Sequence, residues 1–208
     1  MSDFDWNSFM FGKLSPLISD NWVFVDVGAN KGEFIDFFKT FKFKKIYAFE
    51  LSPDNSAFLK SKYHGNTNII IENYAVCDID SNIPFYNGGN KLDPDKKCLN
   101  ILGYNMDFEI ATKIGEIRST RLDTYFKDTK VDLMKIDVEG SETQVLRGLK
   151  NMPNIDNILL ECHLDRDWHE IKILLQDYNF QCINFHDDSP IIENSPRPYQ
   201  CLCSKKRS

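Results

Sequence analysis

Two short runs place ionisable groups where they could act together: Asp137 and Glu139 in Met134-Lys-Ile-Asp-Val-Glu-Gly140, and Glu161 and His163 in Glu161-Cys-His163. An imidazole titrates near neutrality, so His163 is the expected general base, with Glu161 or Glu139 orienting it or holding the molecule that gives up the proton. Asp137, at the end of the first run's apolar stretch, is expected to face a bound cofactor. The alternative for His163 is a strand-end imidazole satisfied by a neighbour. Carboxylates and imidazole are also ligands for a divalent cation, but their spacing matches no dedicated metal motif and no metal is assigned.

These residues need elements to carry them. Apolar runs at Trp22–Asp26, Lys45–Glu50, Asn68–Ala75, Val131–Asp137, Asn157–His163, Phe180–Phe185 and Tyr199–Cys203 read as strands. Helical patterns fall between them, through Phe34–Phe38, Pro53–Lys62, Ser141–Lys150 and Asp167–Tyr178, with Pro53 in a first turn and Ser141 as a cap. Alternating strands and helices make a mostly parallel, doubly wound α/β sheet, whose ligands gather at the carboxyl ends of strands where the strand order reverses. Asp26, Glu50, Asn73, Asp137 and His163 all stand at such ends. In a strand Lys135, Asp137 and Glu139 share a side, as do Glu161 and His163, and adjacent strands lie about 4.8 Å apart, so the two sets can converge. Lys135, in an apolar strand, needs a carboxylate partner, either Asp123 or Asp26.

The first turn, Asp26-Val-Gly-Ala-Asn-Lys-Gly32, is shaped for a nucleoside. Gly28 lets the backbone turn tightly and approach a ligand, Asn30 tolerates a left-handed conformation, and Gly32 permits close packing at the helix start. A dinucleotide fingerprint would want glycine at positions 28, 30 and 33, and the chain has Asn30 and Glu33. There is no P-loop, and no Tyr/Lys pair can be placed for a nicotinamide oxidoreductase. A carboxylate at Asp26 favours a ligand carrying an ammonium or sulfonium over one carrying a pyrophosphate, which points to S-adenosylmethionine. Glu50 is then the acid that accepts hydrogen bonds from the ribose hydroxyls, and Asn73 and Ala75 border the adenine.

Composition bounds the rest. The chain has 208 residues, enough for one domain with a sizeable core, and the expected division is an N-terminal extension over 1–21, a core over 22–185 and a C-terminal hairpin and tail over 186–208. A net charge of -6 argues against a nucleic-acid partner, since that binding needs a basic face. The six scattered cysteines and the lack of a secretory leader favour free thiols, and no apolar stretch reaches the roughly 18 residues of a membrane span, so the expected location is the cytoplasm. Residues 80–119, with Gly88-Gly89 and Pro94, show little periodicity and stand open as a lid, an acceptor-binding insertion or a surface loop. The apolar residues Trp6, Phe9, Met10 and Phe11 are expected to dock onto the sheet.

The ordered set Asp26–Gly32, Ala48-Phe-Glu50 with Pro53, Thr120-Arg-Leu-Asp123, Met134–Gly140, Val145-Leu146 and Glu161-Cys-His163 resembles the FkbM-type methyltransferases from Trp22 to Phe185. That resemblance implies a Rossmann-like class I methyltransferase fold with an antiparallel last strand and S-adenosylmethionine as donor. It also implies a hydroxyl acceptor on a sugar, glycan or small molecule. A non-catalytic adenosylmethionine-binding protein is the alternative from another class, because fold and cofactor motif can outlast the chemistry.

Overall fold

The computed structural model describes residues 6–87, 99–102, 111–150 and 154–206, with side chains from residue 8 onward. Gly88, Gly89, Pro94, Cys98, Arg207 and the side chain of Trp6 lie outside the described residues.

Strands β1 (Val23–Val27), β2 (Lys45–Phe49), β3 (Ile69–Glu72), β8 (Val131–Ile136), β9 (Ile155–Glu161), β10 (Phe180–Asn184) and β11 (Gln200–Lys205) form one sheet, in the order β10-β11-β9-β8-β1-β2-β3. All neighbours are parallel except β11, which runs antiparallel to both β10 and β9. Order reverses at β1, which has β2 on one side and β8 on the other. The helices α2 (Glu33–Phe38), α3 (Pro53–Lys62), α4 (Leu122–Phe126), α5 (Glu142–Arg147) and α6 (Trp168–Asp177) supply the crossovers. Every residue of β1 and β8 is buried, which is why both read as mostly apolar runs, interrupted at Asp26, Asp132 and Lys135.

Each face of the sheet carries its own core. On one, Val25, Phe49, Met134, Val145, Leu160, Trp168 and Ile171 pack together; on the other, Phe24, Ile35, Phe38, Leu59, Leu133 and Phe185 do. Helix α1 (Trp6–Leu14) closes the second core with Met10 and Leu14, both buried, while Phe11 stays about half exposed against Phe41. Docking of the N-terminal segment is therefore what the structure shows.

Three expectations change. The strand read over Asn68–Ala75 breaks at Asn73, whose side-chain amide donates to the carbonyls of Glu50 and Leu51; the chain then leaves the main sheet as β4 (Ala75–Val76). Residues 80–119 are not a simple loop: β5 (Asn82–Asn87), β6 (Leu99–Asn100) and β7 (Thr112–Thr120) join β4 in a second sheet of order β4-β7-β5-β6. Ala75, Phe85 and Ile117 give that sheet a small core of its own. The cysteines are not all free: Cys182 and Cys203 stand opposite each other in the β10/β11 ladder and form a disulfide, because antiparallel pairing sets their Cα atoms only 4.0 Å apart. Cys77, Cys162 and Cys201 are buried thiols. Among the described residues no helix is long and apolar enough to cross a membrane.

Candidate active site

At the reversal point the carboxyl ends of β1, β2 and β8 open into a cleft of about 630 Å³. Its floor is the turn after β1. Gly28 has φ +81°, and a Cβ there would meet the carbonyl oxygen of Asp137 at 1.8 Å, so glycine is required for β1 and β8 to end side by side. Asn30 is left-handed at φ +48°, as its amide side chain allows, and its N–H points across the turn to Glu50. The Glu50 carboxylate accepts from the N–H of Asn30 and that of Ser52, each at 2.7 Å, and lines the cleft with Asn30, Ser52 and Asn55. Burial pushes the Glu50 carboxyl above its usual range, and the two N–H donors only partly offset it. Ala75, Tyr74 and Val76 form one wall, and Leu99, Asn100 and Ile101 of the second sheet lean over the same space.

Three residues expected at the donor site do not line the cleft. Asn73 spends its amide on the carbonyls of Glu50 and Leu51, so it braces the end of β2 instead of bordering a ligand. Gly32 packs against α3, where a Cβ would lie 2.6 Å from the Tyr63 hydroxyl, a helix-packing role. Asp26 is fully buried behind the turn and faces Lys135, with its Oδ1 3.2 Å from the Lys135 Nζ. Its carboxylate has no surface open to the cleft. Burial pushes the Asp26 carboxyl up, with Lys135 pulling against that shift. Lys135 has found one of its two expected partners: Asp123 pairs instead with Arg121, at 2.6 Å. The Lys135 ammonium also reaches Asp137 Oδ2, at 3.3 Å, and the Gly28 carbonyl, at 2.7 Å; burial disfavours its charge, but Asp26 and Asp137 more than compensate, and its pKa rises.

Asp137 and Glu139 line the far end of the cleft, and there the two sequence runs meet. Strand β8 ends at Ile136, so Asp137 to Gly140 form a loop, with Glu139 at φ +54° and Gly140 at +99°. That loop carries Asp137 and Glu139 towards the end of β9. The Nε2 of His163 lies 3.3 Å from Glu161 Oε1, 3.7 Å from Asp137 Oδ1 and 3.7 Å from Glu139 Oε2. Behind the ring, His163 Nδ1 is 2.6 Å from Oε1 of Glu142, a fully buried carboxylate at the start of α5. Glu142 also accepts from the Gly140 N–H, so it fixes both loop and imidazole.

This surround changes the part His163 can play. Burial disfavours the imidazolium, but Glu142 and Glu161 overcome it and the pKa is pushed up to about 11. An imidazole held as its cation does not accept a proton, so these neighbours argue against the expected role of His163 as base. Conversely Glu161 falls below the usual carboxylate range: burial opposes this, and hydrogen bonds with His163 and Tyr199 prevail. Glu142, Gln200 and Tyr199 belong to this cluster and were not singled out in the sequence. Glu142 reads there only as a first-turn acid, and Gln200 lies 39 residues from the Glu161 it holds, at 3.1 Å.

The FkbM methyltransferase domain matches residues 26–182, from the end of β1 through His163 and into β10. The chain belongs to the FkbM methyltransferase family. It is similar to "Methyltransferase 1" of the fungus Beauveria bassiana, 26% identical over 80% of this chain and 75% of that protein. Among solved structures, the FkbM methyltransferase of Methylobacillus flagellatus superposes with a TM-score of 0.59 at 17% identity, over 90% of this chain. This chain covers 44% of that one, less than half its length. SMU.1697c of Streptococcus mutans, solved in complex with SAH, superposes at TM-score 0.51 with 11% identity, over 96% of this chain and 95% of its own. At those identities the two structures establish a shared fold, the class I methyltransferase fold expected from sequence.

Proposed function

We propose that this FkbM methyltransferase uses S-adenosylmethionine to methylate a hydroxyl oxygen of a sugar, glycan or other small molecule. The observation that carries the reading is the cleft that joins a buried, backbone-anchored Glu50 to Asp137 and Glu139, the two members of the carboxylate and imidazole cluster that line it. The solved SAH complex of a protein of like fold supports the same donor.

The residues present fit that donor. Glu50 uses one lone pair of each oxygen on a backbone N–H, which leaves the others for a pair of vicinal ribose hydroxyls. Ala75, Val76 and Leu51 offer apolar contact for a base, and Asp137 and Glu139 offer negative charge for a sulfonium or ammonium. Bound there, S-adenosylmethionine supplies an electrophilic methyl group that an acceptor oxygen takes in line as the carbon–sulfur electron pair returns to sulfur. Among this chain's residues, Glu139 stands at the cleft and receives the hydroxyl proton, while His163, held as a cation by Glu142, positions Glu161 and Asp137 around the acceptor. The cluster's negative charge also disfavours phosphate-bearing acceptors.

Calorimetric titration with S-adenosylmethionine, with NADH as control, tests this. Saturable binding of the former alone is expected, weakened at least tenfold in Glu50→Ala, since each hydrogen bond to a charged acceptor contributes about 1.5–3 kcal/mol. Protonation takes away the acceptor lone pairs, so affinity should fall as pH drops through the raised Glu50 pKa, and Glu50→Gln should lack that limb. Folded protein that ignores millimolar donor would end this reading; donor binding without transfer to any hydroxyl acceptor would turn it into a binding protein.

A further inference from the structure

We propose that Asp137, Glu161 and His163 form a binding site for one divalent cation of the Mn²⁺/Mg²⁺ class, at the acceptor end of the cleft. Each offers one ligand atom, and these atoms lie within 4.8 Å of one another, on the loop after β8 and at the end of β9. Ligands bound to such a cation at about 2.1 Å stand roughly 3.0–3.5 Å apart. His163 Nε2 is 3.3 Å from Glu161 Oε1 and 3.7 Å from Asp137 Oδ1, close to that spacing before any cation draws them in. Glu139, with Oε2 3.7 Å from the same nitrogen, stands ready as a fourth ligand or as the partner of a coordinated water.

The far atom of every ligand is held by a side chain that is itself nine-tenths or more buried. Lys135 holds Asp137 Oδ2, Gln200 holds Glu161 Oε2 at 3.1 Å, and Glu142 holds His163 Nδ1 at 2.6 Å. A carboxylate behind the imidazole fixes the ring with Nε2 facing inward, the arrangement metal-ligating histidines adopt, and a bound cation takes the place of the Nε2 proton that the ring holds without it. Two atoms of this buried layer also lack a hydrogen-bond partner: the Oε1 of Gln200, whose amide reaches onto Glu161, and the Oε2 of Glu142. Ordered water is the donor such oxygens want. Two carboxylates and one imidazole, with no thiolate, select a hard cation that keeps open positions, where an acceptor hydroxyl could bind beside the donor methyl.

That role in the reaction rests on the methyl-transfer reading, whereas cation binding can be measured without it. Chelator-stripped protein is titrated with Mn²⁺ and followed by electron paramagnetic resonance. One Mn²⁺ per chain is expected, with nitrogen coupling that vanishes in His163→Gln. Binding should weaken at least tenfold in Glu161→Gln and in Asp137→Asn, and about tenfold in Glu142→Gln, which removes only outer support. Asp137 is part-exposed, so its variant serves even where Glu161→Gln fails to fold. No saturable Mn²⁺ binding at millimolar concentration, or binding that these variants leave unchanged, overturns the site. S-adenosylmethionine titrated in EDTA separates the two readings: donor binding without Mn²⁺ binding removes the cation site alone, and Mn²⁺ binding without donor binding keeps it.

Discussion

His163 shows how far a side chain's surroundings can override its type. In sequence an imidazole two residues from a glutamate reads as a base poised near neutrality. In the fold Glu142 and Glu161 stabilise its cation up to about pH 11. Removing a neighbouring anion disfavours the charged ring, so in chelated protein Glu142→Gln should titrate His163 at clearly lower pH than wild type, as read from its ring proton shifts by NMR. An unmoved titration would mean that Glu161 alone sets the charge. Glu142 escaped the sequence reading for a physical reason: an acid in the first turn of a helix is ordinary, and nothing local announces that it is wholly buried. Asp26 errs in the opposite direction, since its place before a glycine turn looked exposed to ligand while the register Asp26↔Lys135 turns it to a neighbouring strand. Glu50 was legible because its N–H partners belong to the same two strand-end turns that mark it in sequence.

At the scale of elements, the strands of the main sheet were legible wherever both faces are covered, because burial favours a mostly apolar run, as in β1 and β8. The second sheet was not. Strand β7 is mostly exposed along its first half and pairs with residues some thirty positions away, so neither periodicity nor a short turn betrays it. The break between β3 and β4 was equally hidden, since Asn73 reads as a strand residue and acts as a brace. The disulfide between β10 and β11 depends on register, which scattered cysteines do not disclose. Because it closes a loop with a sequence separation of 21, Cys182→Ser should lower unfolding stability by about 2–4 kcal/mol in urea titrations without reductant. The difference should disappear when both proteins are unfolded with reductant present, and a gap that persisted would assign the loss to packing instead.

Across the whole molecule, the two halves of the sheet meet along the β1/β8 ladder, which ends at a close contact. Gly28 sits against the Asp137 carbonyl, so Gly28→Ala would force β1 and β8 apart at the centre of both cores and place alanine at φ +81°. A loss of about 3 kcal/mol or more is expected in urea unfolding, and donor binding should fail in whatever protein still folds. A small change in both would show that the turn can relax without disturbing the cleft. The strand order holds a further consequence for how the chain is made. β11 is inserted between β9 and β10, yet both are synthesised before it, so a nascent chain carries a slot in its sheet with two unpaired edges until residues 200–205 emerge. The same strand delivers Gln200 to Glu161. The final strand to enter the sheet thus also completes the reaction cluster, so chains stalled on the ribosome before that point would be sticky and without a finished site, a natural substrate for chaperones.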